Sequence, residues 1–64
     1  MKKFRNDTDG ARLQRSLSNG MPLDQVLIGK VLNGKPLDDQ EQEVVRLQLQ
    51  RGGLQEGTDF HWDG

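Results

Sequence analysis

The stretch 17–24 reads LSNGMPLD, and the stretch 31–38, fourteen residues later, reads VLNGKPLD, with identical residues at five of eight positions. In each copy, Asn-Gly favours the left-handed backbone that closes a helix. The Pro that follows is unsuited to continue that helix, and the final Asp is suited to cap a new one. Each copy therefore predicts the end of one helix and the start of the next.

These start and stop signals define two predicted helices. The first is predicted over about residues 9–18, where Leu13 and Leu17 lie one turn apart. The second, over about residues 23–32, is apolar around more than half of its helical wheel, so we expect it to be the most buried element. Gly29 within it costs about 1 kcal/mol relative to Ala, which indicates a close approach by another backbone.

A third helix is predicted over about residues 38–51. Asp38, followed three residues later by Glu41, resembles a capping box. Gly52 and Gly53 provide the stop signal at the other end.

Residues 45–50 carry a competing signal, because VRLQLQ alternates apolar and polar residues with the period of a strand. The acidic start, the Gln, Glu and Leu content and the Gly-Gly stop favour the helix. The alternative is an α+β domain in which about residues 44–50 and 58–63 form a C-terminal hairpin, although the connection is longer than most hairpin loops.

The predicted fold is an all-α, small three-helix domain with an extended C-terminal tail. A chain of 64 residues allows a single domain. We expect residues 1–8 to form a basic N-terminal segment, residues 9–51 the helical core, and residues 52–64 a Gly-rich connection and an aromatic tail.

The tail holds two of the three aromatic residues. In an extended chain Phe60 and Trp62 point to the same side. The opposite side then presents one imidazole and two carboxylates, those of Asp59, His61 and Asp63. One interpretation is that the two aromatic rings cover the helices and complete a small core. The other is that they anchor the chain in a partner's pocket, since Trp is enriched among binding hot spots.

Candidate chemistry is sparse. The chain has no cysteine, and its one histidine, His61, brings fewer ligands than a structural metal site uses. Ser16 and Ser18 lie in a predicted helix without a nucleophile motif, and the glycines do not form a phosphate-binding loop. We therefore predict no catalytic residue, no metal and no cofactor.

The charge distribution is asymmetric. Residues 1–35 carry seven Lys or Arg and three Asp, a net charge of +4, whereas residues 36–64 carry two Arg and seven Asp or Glu, a net charge of −5. The sequence pI of about 5.6 is well below that typical of nucleic-acid-binding domains. The second and third helices have the outline of a helix-turn-helix, but the third begins with carboxylates that would face DNA phosphates. A helix-turn-helix DNA-binding regulator is therefore an alternative, with nucleic acid the less favoured partner.

By elimination, the sequence predicts a non-enzymatic small regulatory or adaptor protein that binds another protein, such as a bacterial or phage inhibitor of a host protein. The predicted contact surface joins the tail aromatics to the basic residues of the N-terminal half, and its members are Phe60, Trp62, Arg5, Arg12 and Arg15. Such a surface implies a partner with an acidic patch, because complementary charge speeds association and buried aromatic rings add affinity.

Two further expectations concern assembly and location. A structural homo-oligomer is an alternative in which the apolar central helix associates with a second copy, through Val26, Ile28, Leu32 and Leu49. The chain has no apolar run of the ~20 residues that a membrane span needs. Its basic N-terminus lacks the apolar stretch of a signal peptide. We therefore expect a cytoplasmic protein without membrane contact.

Overall fold

A computed structural model describes residues 1–18 and 24–64. The first Asn-Gly-x-Pro segment, at residues 19–22, lies outside the described residues. The described elements, in chain order, are β1 (Lys2–Asn6), α1 (Gly10–Ser18), α2 (Gln25–Leu32), β2 (Pro36–Leu37), α3 (Asp39–Arg51) and β3 (Phe60–Asp63).

The three strands form one antiparallel sheet in the order β2-β1-β3. The all-α prediction is therefore wrong, and the α+β class of the alternative fits. The pairing differs from the hairpin of that alternative, because β3 pairs with β1 and residues 44–50 lie in α3. The preference for helix over residues 45–50 is confirmed.

Strand β1 occupies the centre of the sheet. Phe4 pairs with Trp62 of β3 and is buried, whereas the neighbouring Lys3 and Arg5 are exposed. With one face of the sheet open, β1 needs only one apolar side chain to join the core. A five-residue segment with a single apolar residue gives almost no strand signal, which is why the sequence suggested only a basic segment here.

The described helix boundaries follow the predicted signals. The Asp24 side chain accepts the N–H of Val26 at 2.8 Å, at the start of α2. Asp38 and Glu41 form the predicted capping box at the start of α3. Gly34 follows α2 with a φ of 66°, and the N–H of the next residue returns to the Lys30 carbonyl, which is the pattern of a Schellman motif. These predictions, which depend on local spacing, are confirmed.

The core lies between the sheet and the helices, and its contacts differ from the prediction for the second helix. Helix α3 contributes Val45 and Leu49, both completely buried. Helix α2 buries Leu27 and Val31 but leaves Val26 largely exposed, so it is not the most buried element. No described helix is sufficiently long and apolar to cross a membrane.

Candidate functional site

The predicted aromatic pair takes part in the core. Phe60 is completely buried and stacks on Phe4 with ring centroids 5.5 Å apart. Trp62 is half-buried and meets both Phe rings edge-on. The interpretation that these rings complete a small core is confirmed, and in this structure Phe60 has no surface for a partner to contact.

The indole N–H of Trp62 is buried and has no hydrogen-bond partner among the described residues. Buried indole N–H groups usually find an acceptor. Contacts with the rings of Phe4 and Phe60 therefore hold this side chain in place without the help of a hydrogen bond.

Two of the three predicted arginines lie close to carboxylates of the same chain. Arg5 lies 3.9 Å from an Asp63 oxygen, and Arg12 lies 3.9 Å from an Asp59 oxygen. Arg15 is exposed and has no ion-pair partner within the described residues. The fold thus brings Arg5 and Arg12 to the C-terminal tail, but their charges face acidic neighbours. A partner with an acidic patch stays a prediction.

The open face of the sheet carries a charged network centred on His61. Its Nδ1 lies 2.5 Å from Asp7 Oδ2, and its Nε2 lies 3.4 Å from Asp63 Oδ1. Asp59 is oriented differently, since its Oδ2 accepts the N–H of Gln55 at 2.9 Å. The sequence thus identified one carboxylate neighbour of His61 correctly and missed Asp7, which the β1–β3 pairing supplies. The described residues contain no group of three or more acidic or histidine side chains arranged to hold a metal ion.

A groove lies between the start of α2 and the start of α3, and we call it the α2–α3 groove. Its volume is about 290 Å³. The apolar lining residues are Val26, Leu27 and Val44, and the polar ones are Asp24, Asp38, Gln40 and Glu41. Val26 is 68% exposed and Val44 is 42% exposed. The groove therefore presents aliphatic side chains to solvent between carboxylates.

The apolar surface continues along α3 beyond the groove. Leu47 is 53% exposed and lies one helical turn after Val44. Val45 and Leu49, on the other side of the same helix, are fully buried. Packing against the core thus buries only some of the apolar residues of α3 and leaves Val44 and Leu47 exposed.

A salt bridge joins the two helices beside the groove. Lys30 Nζ of α2 lies 2.8 Å from Glu41 Oε2 of α3. This hydrogen bond raises the pKa of Lys30. It also lowers the pKa of Glu41, with help from the backbone N–H of Asp38. The bridge links α2 to α3 at one edge of the groove.

Sequence reasoning missed Val44 as a surface residue, although the signal was present. The apolar residues of the third helix span too wide an arc for one contact surface. Part of that arc had to remain exposed, but the sequence does not say which part. Of the four residues through which self-association was predicted, Leu49 lies in the core, Ile28 is half-buried, and Val26 and Leu32 are exposed.

Comparison with known proteins gives no relative. No family model matches the chain, and neither a curated protein nor a solved structure matches it significantly.

Proposed function

We propose that this chain is a non-enzymatic protein-binding module, a small cytoplasmic regulator or adaptor that contacts its partner through the α2–α3 groove. The observation that carries the proposal is the exposure of Val26 and Val44 on the two sides of one groove. Single exposed aliphatic residues are ordinary, but two that face each other across a groove bordered by polar groups offer an apolar surface that a partner can cover. Leu47 enlarges this surface along α3.

Ser16 and His61, two side chains of types used in catalysis, already interact with other groups of this chain, which supports a binding role. The Ser16 hydroxyl is buried and donates to the Gly52 carbonyl at 3.3 Å. His61 has a carboxylate beside each of its ring nitrogens. The form of this proposal that we favour is a bacterial or phage regulator that inhibits a host protein by covering its surface.

The groove is a better contact surface than the tail suggested by the sequence. Phe60 is withdrawn into the core, and Arg5 and Arg12 have acidic neighbours. Val26 and Val44 are exposed, and burying them against a partner removes apolar area from water at about 25 cal/mol per Å².

We rank the other two functional hypotheses below this proposal. In a helix-turn-helix the two helices are joined by a turn of three to four residues, whereas the connection here contains β2, which pairs with β1. The acidic start of α3, with Asp38, Asp39 and Glu41, would oppose DNA phosphates. For the homo-oligomer, Leu49 is fully buried and offers no contact surface, whereas Val26 and Leu32 of the same predicted surface are exposed.

Affinity capture with matched variants tests the proposal. The double variant Val26→Gln/Val44→Gln removes both exposed aliphatic groups without changing the net charge, and Gln is at least as good a helix former as Val. Leu32→Gln is the control, because Leu32 is exposed on α2 but does not line the groove. Tagged proteins are used to capture partners from a nuclease-treated bacterial lysate, and circular dichroism checks each fold.

We expect the parent chain and the Leu32→Gln control to retain one stoichiometric protein that the double variant loses. Retention of that protein by the folded double variant would place the contact elsewhere. A set of proteins recovered only when nuclease is omitted would instead favour nucleic-acid binding.

A further inference from the structure

We infer that the α2–α3 groove receives a cationic amphipathic helix of the partner, an inference that rests on the proposed function and specifies the chemistry of the same site. The first step in the argument is the charge of the lining. Neither Asp24 nor Asp38 forms a salt bridge among the described residues, although Asp38 interacts electrostatically with Lys30, and each carboxylate accepts a backbone N–H at a helix start. Glu41 is already paired with Lys30.

The helix starts compensate only part of this charge. A helix N-terminus carries about half a positive charge, so two helix starts offset roughly one of the two unit charges of Asp24 and Asp38. Asp39, which lies at the start of α3 next to the lining residue Asp38, adds a further exposed carboxylate near the groove. The groove therefore keeps a net negative charge, and a complementary occupant brings Lys or Arg.

The apolar lining residues require that the occupant bring apolar side chains as well as positive charge. Val26, Leu27 and Val44 line the groove together, and Leu47 extends the surface by one turn of α3. An occupant that covers both the groove and Leu47 needs apolar side chains spaced along one face. Spacing of three or four residues on a helix provides such a face, as in other helix-in-groove complexes.

A helical occupant also suits the backbone groups available here. The groove lies between the starts of two helices, and none of its lining residues belongs to a strand. An extended peptide would find no strand ladder to join at this place. A helix satisfies its own backbone groups and presents only side chains.

The probe for this inference is a synthetic peptide of about 15 residues, long enough to form a helix. It carries Leu at helical spacing on one face and Lys on the other, and a matched peptide carries Glu in place of each Lys. Binding is followed by NMR on the ¹⁵N-labelled full chain. We expect the Lys peptide to shift the amide signals of the lining residues and the Glu peptide to leave them unchanged. Raising the salt concentration should weaken the binding.

Asp-to-Asn variants distinguish the effect of the negative charge from the role of the same side chains as helix caps. Asn caps helices as well as Asp does, so Asp24→Asn/Asp38→Asn removes two charges and keeps both helix starts. Asp9→Asn is the control, because Asp9 accepts the Ala11 N–H at the start of α1, away from the groove lining. We expect the double variant to bind the Lys peptide roughly threefold to tenfold more weakly, as the loss of two exposed ion pairs implies. The control variant should bind like the parent chain.

Three results would overturn the inference. One is equal binding of the Glu peptide. Another is unchanged affinity of the Asp24→Asn/Asp38→Asn variant for the Lys peptide. The third is a concentration-dependent shift of the lining signals without peptide, which would identify a second copy of this chain as the occupant.

The two proposals fail in distinguishable ways. If Val26→Gln/Val44→Gln loses the captured protein but the Lys peptide does not bind the parent chain, the protein-binding role stands and the cationic helix is excluded. If Val26→Gln/Val44→Gln still captures the protein, the groove is not the contact surface for that partner. The inference that a cationic helix occupies the groove then fails as well.

Discussion

Gly52, the C-cap of α3, lies so close to Ser16 of α1 that a Cβ atom at Gly52 would come within 2.7 Å of the Ser16 Cβ and 2.9 Å of its Cα. The Ser16 hydroxyl donates to the Gly52 carbonyl across the same contact. The φ of Gly52 is −79°, which any residue can adopt. The requirement for glycine is therefore one of space between two helices.

Gly52→Ala should consequently destabilise the protein. Because part of the clash is with the Ser16 backbone, the two helices must separate to admit the methyl group. We expect a loss of about 1–3 kcal/mol in the free energy of unfolding, as for other overpacked sites. Urea denaturation measures it. An unchanged midpoint would show that α1 and α3 are less closely packed than described.

Gly29→Ala should have the opposite effect. The predicted close approach of another backbone to Gly29 is wrong for the described residues, none of which, outside the local helix backbone, has an atom within 4 Å of the position of an added Cβ. Ala has a higher helix propensity than Gly, so α2 should gain up to about 1 kcal/mol. The gain is measured by the same denaturation as for Gly52→Ala. A loss of stability would indicate an unrecognised contact at α2.

Phe60→Ala tests whether the sheet is integral to the fold. Phe60 is completely buried and stacks on Phe4 of the central strand. Removing such a ring costs about 3–5 kcal/mol, a large share of the 5–15 kcal/mol that stabilises a typical domain. We expect a largely unfolded chain by circular dichroism, with the fluorescence of Trp62 shifted towards that of exposed indole. Val44→Ala, at a partly exposed position, is the control that should stay folded. If Phe60→Ala kept its helical content and were as stable as the parent chain, the sheet would not be integral to the fold.

The Lys30–Glu41 bridge should make stability depend on pH. The hydrogen bond from Lys30 lowers the pKa of Glu41 in the folded chain. The stabilisation is therefore complete above the unfolded pKa of about 4.3 and is lost as the pH falls through the lower folded pKa. The same bond raises the pKa of Lys30, so in alkali the contribution is lost as the pH rises through that folded value.

Comparison of the parent chain with Lys30→Met measures this effect. We expect the variant to be less stable at neutral pH and the difference to disappear in strong acid, where Glu41 is protonated in both proteins. Denaturation midpoints at the two pH values provide the measurement. An equal difference at both would assign the loss to packing of the Lys30 side chain and not to its charge.

Local spacing was enough to locate the described helix boundaries. Asp24 and Asp38 cap helices by bonding to N–H groups two or three residues away, and Gly34 closes α2 through its own φ. The alternation of Phe60 and Trp62 likewise placed both rings on the side that meets the core. These features depend on neighbours in the chain, so the amino-acid sequence by itself determined them.

The sheet and the groove were decided by tertiary structure. Phe4 and Trp62 pair from opposite ends of the chain, and no local signal records that pairing. Once β1 and β3 cover the helices, Val45 is buried, and its neighbour Val44 lies in the groove with Val26. The sequence alone determines which residues are apolar, but the packing of distant segments decides which of them meet water, because burial is a property of the assembled surfaces.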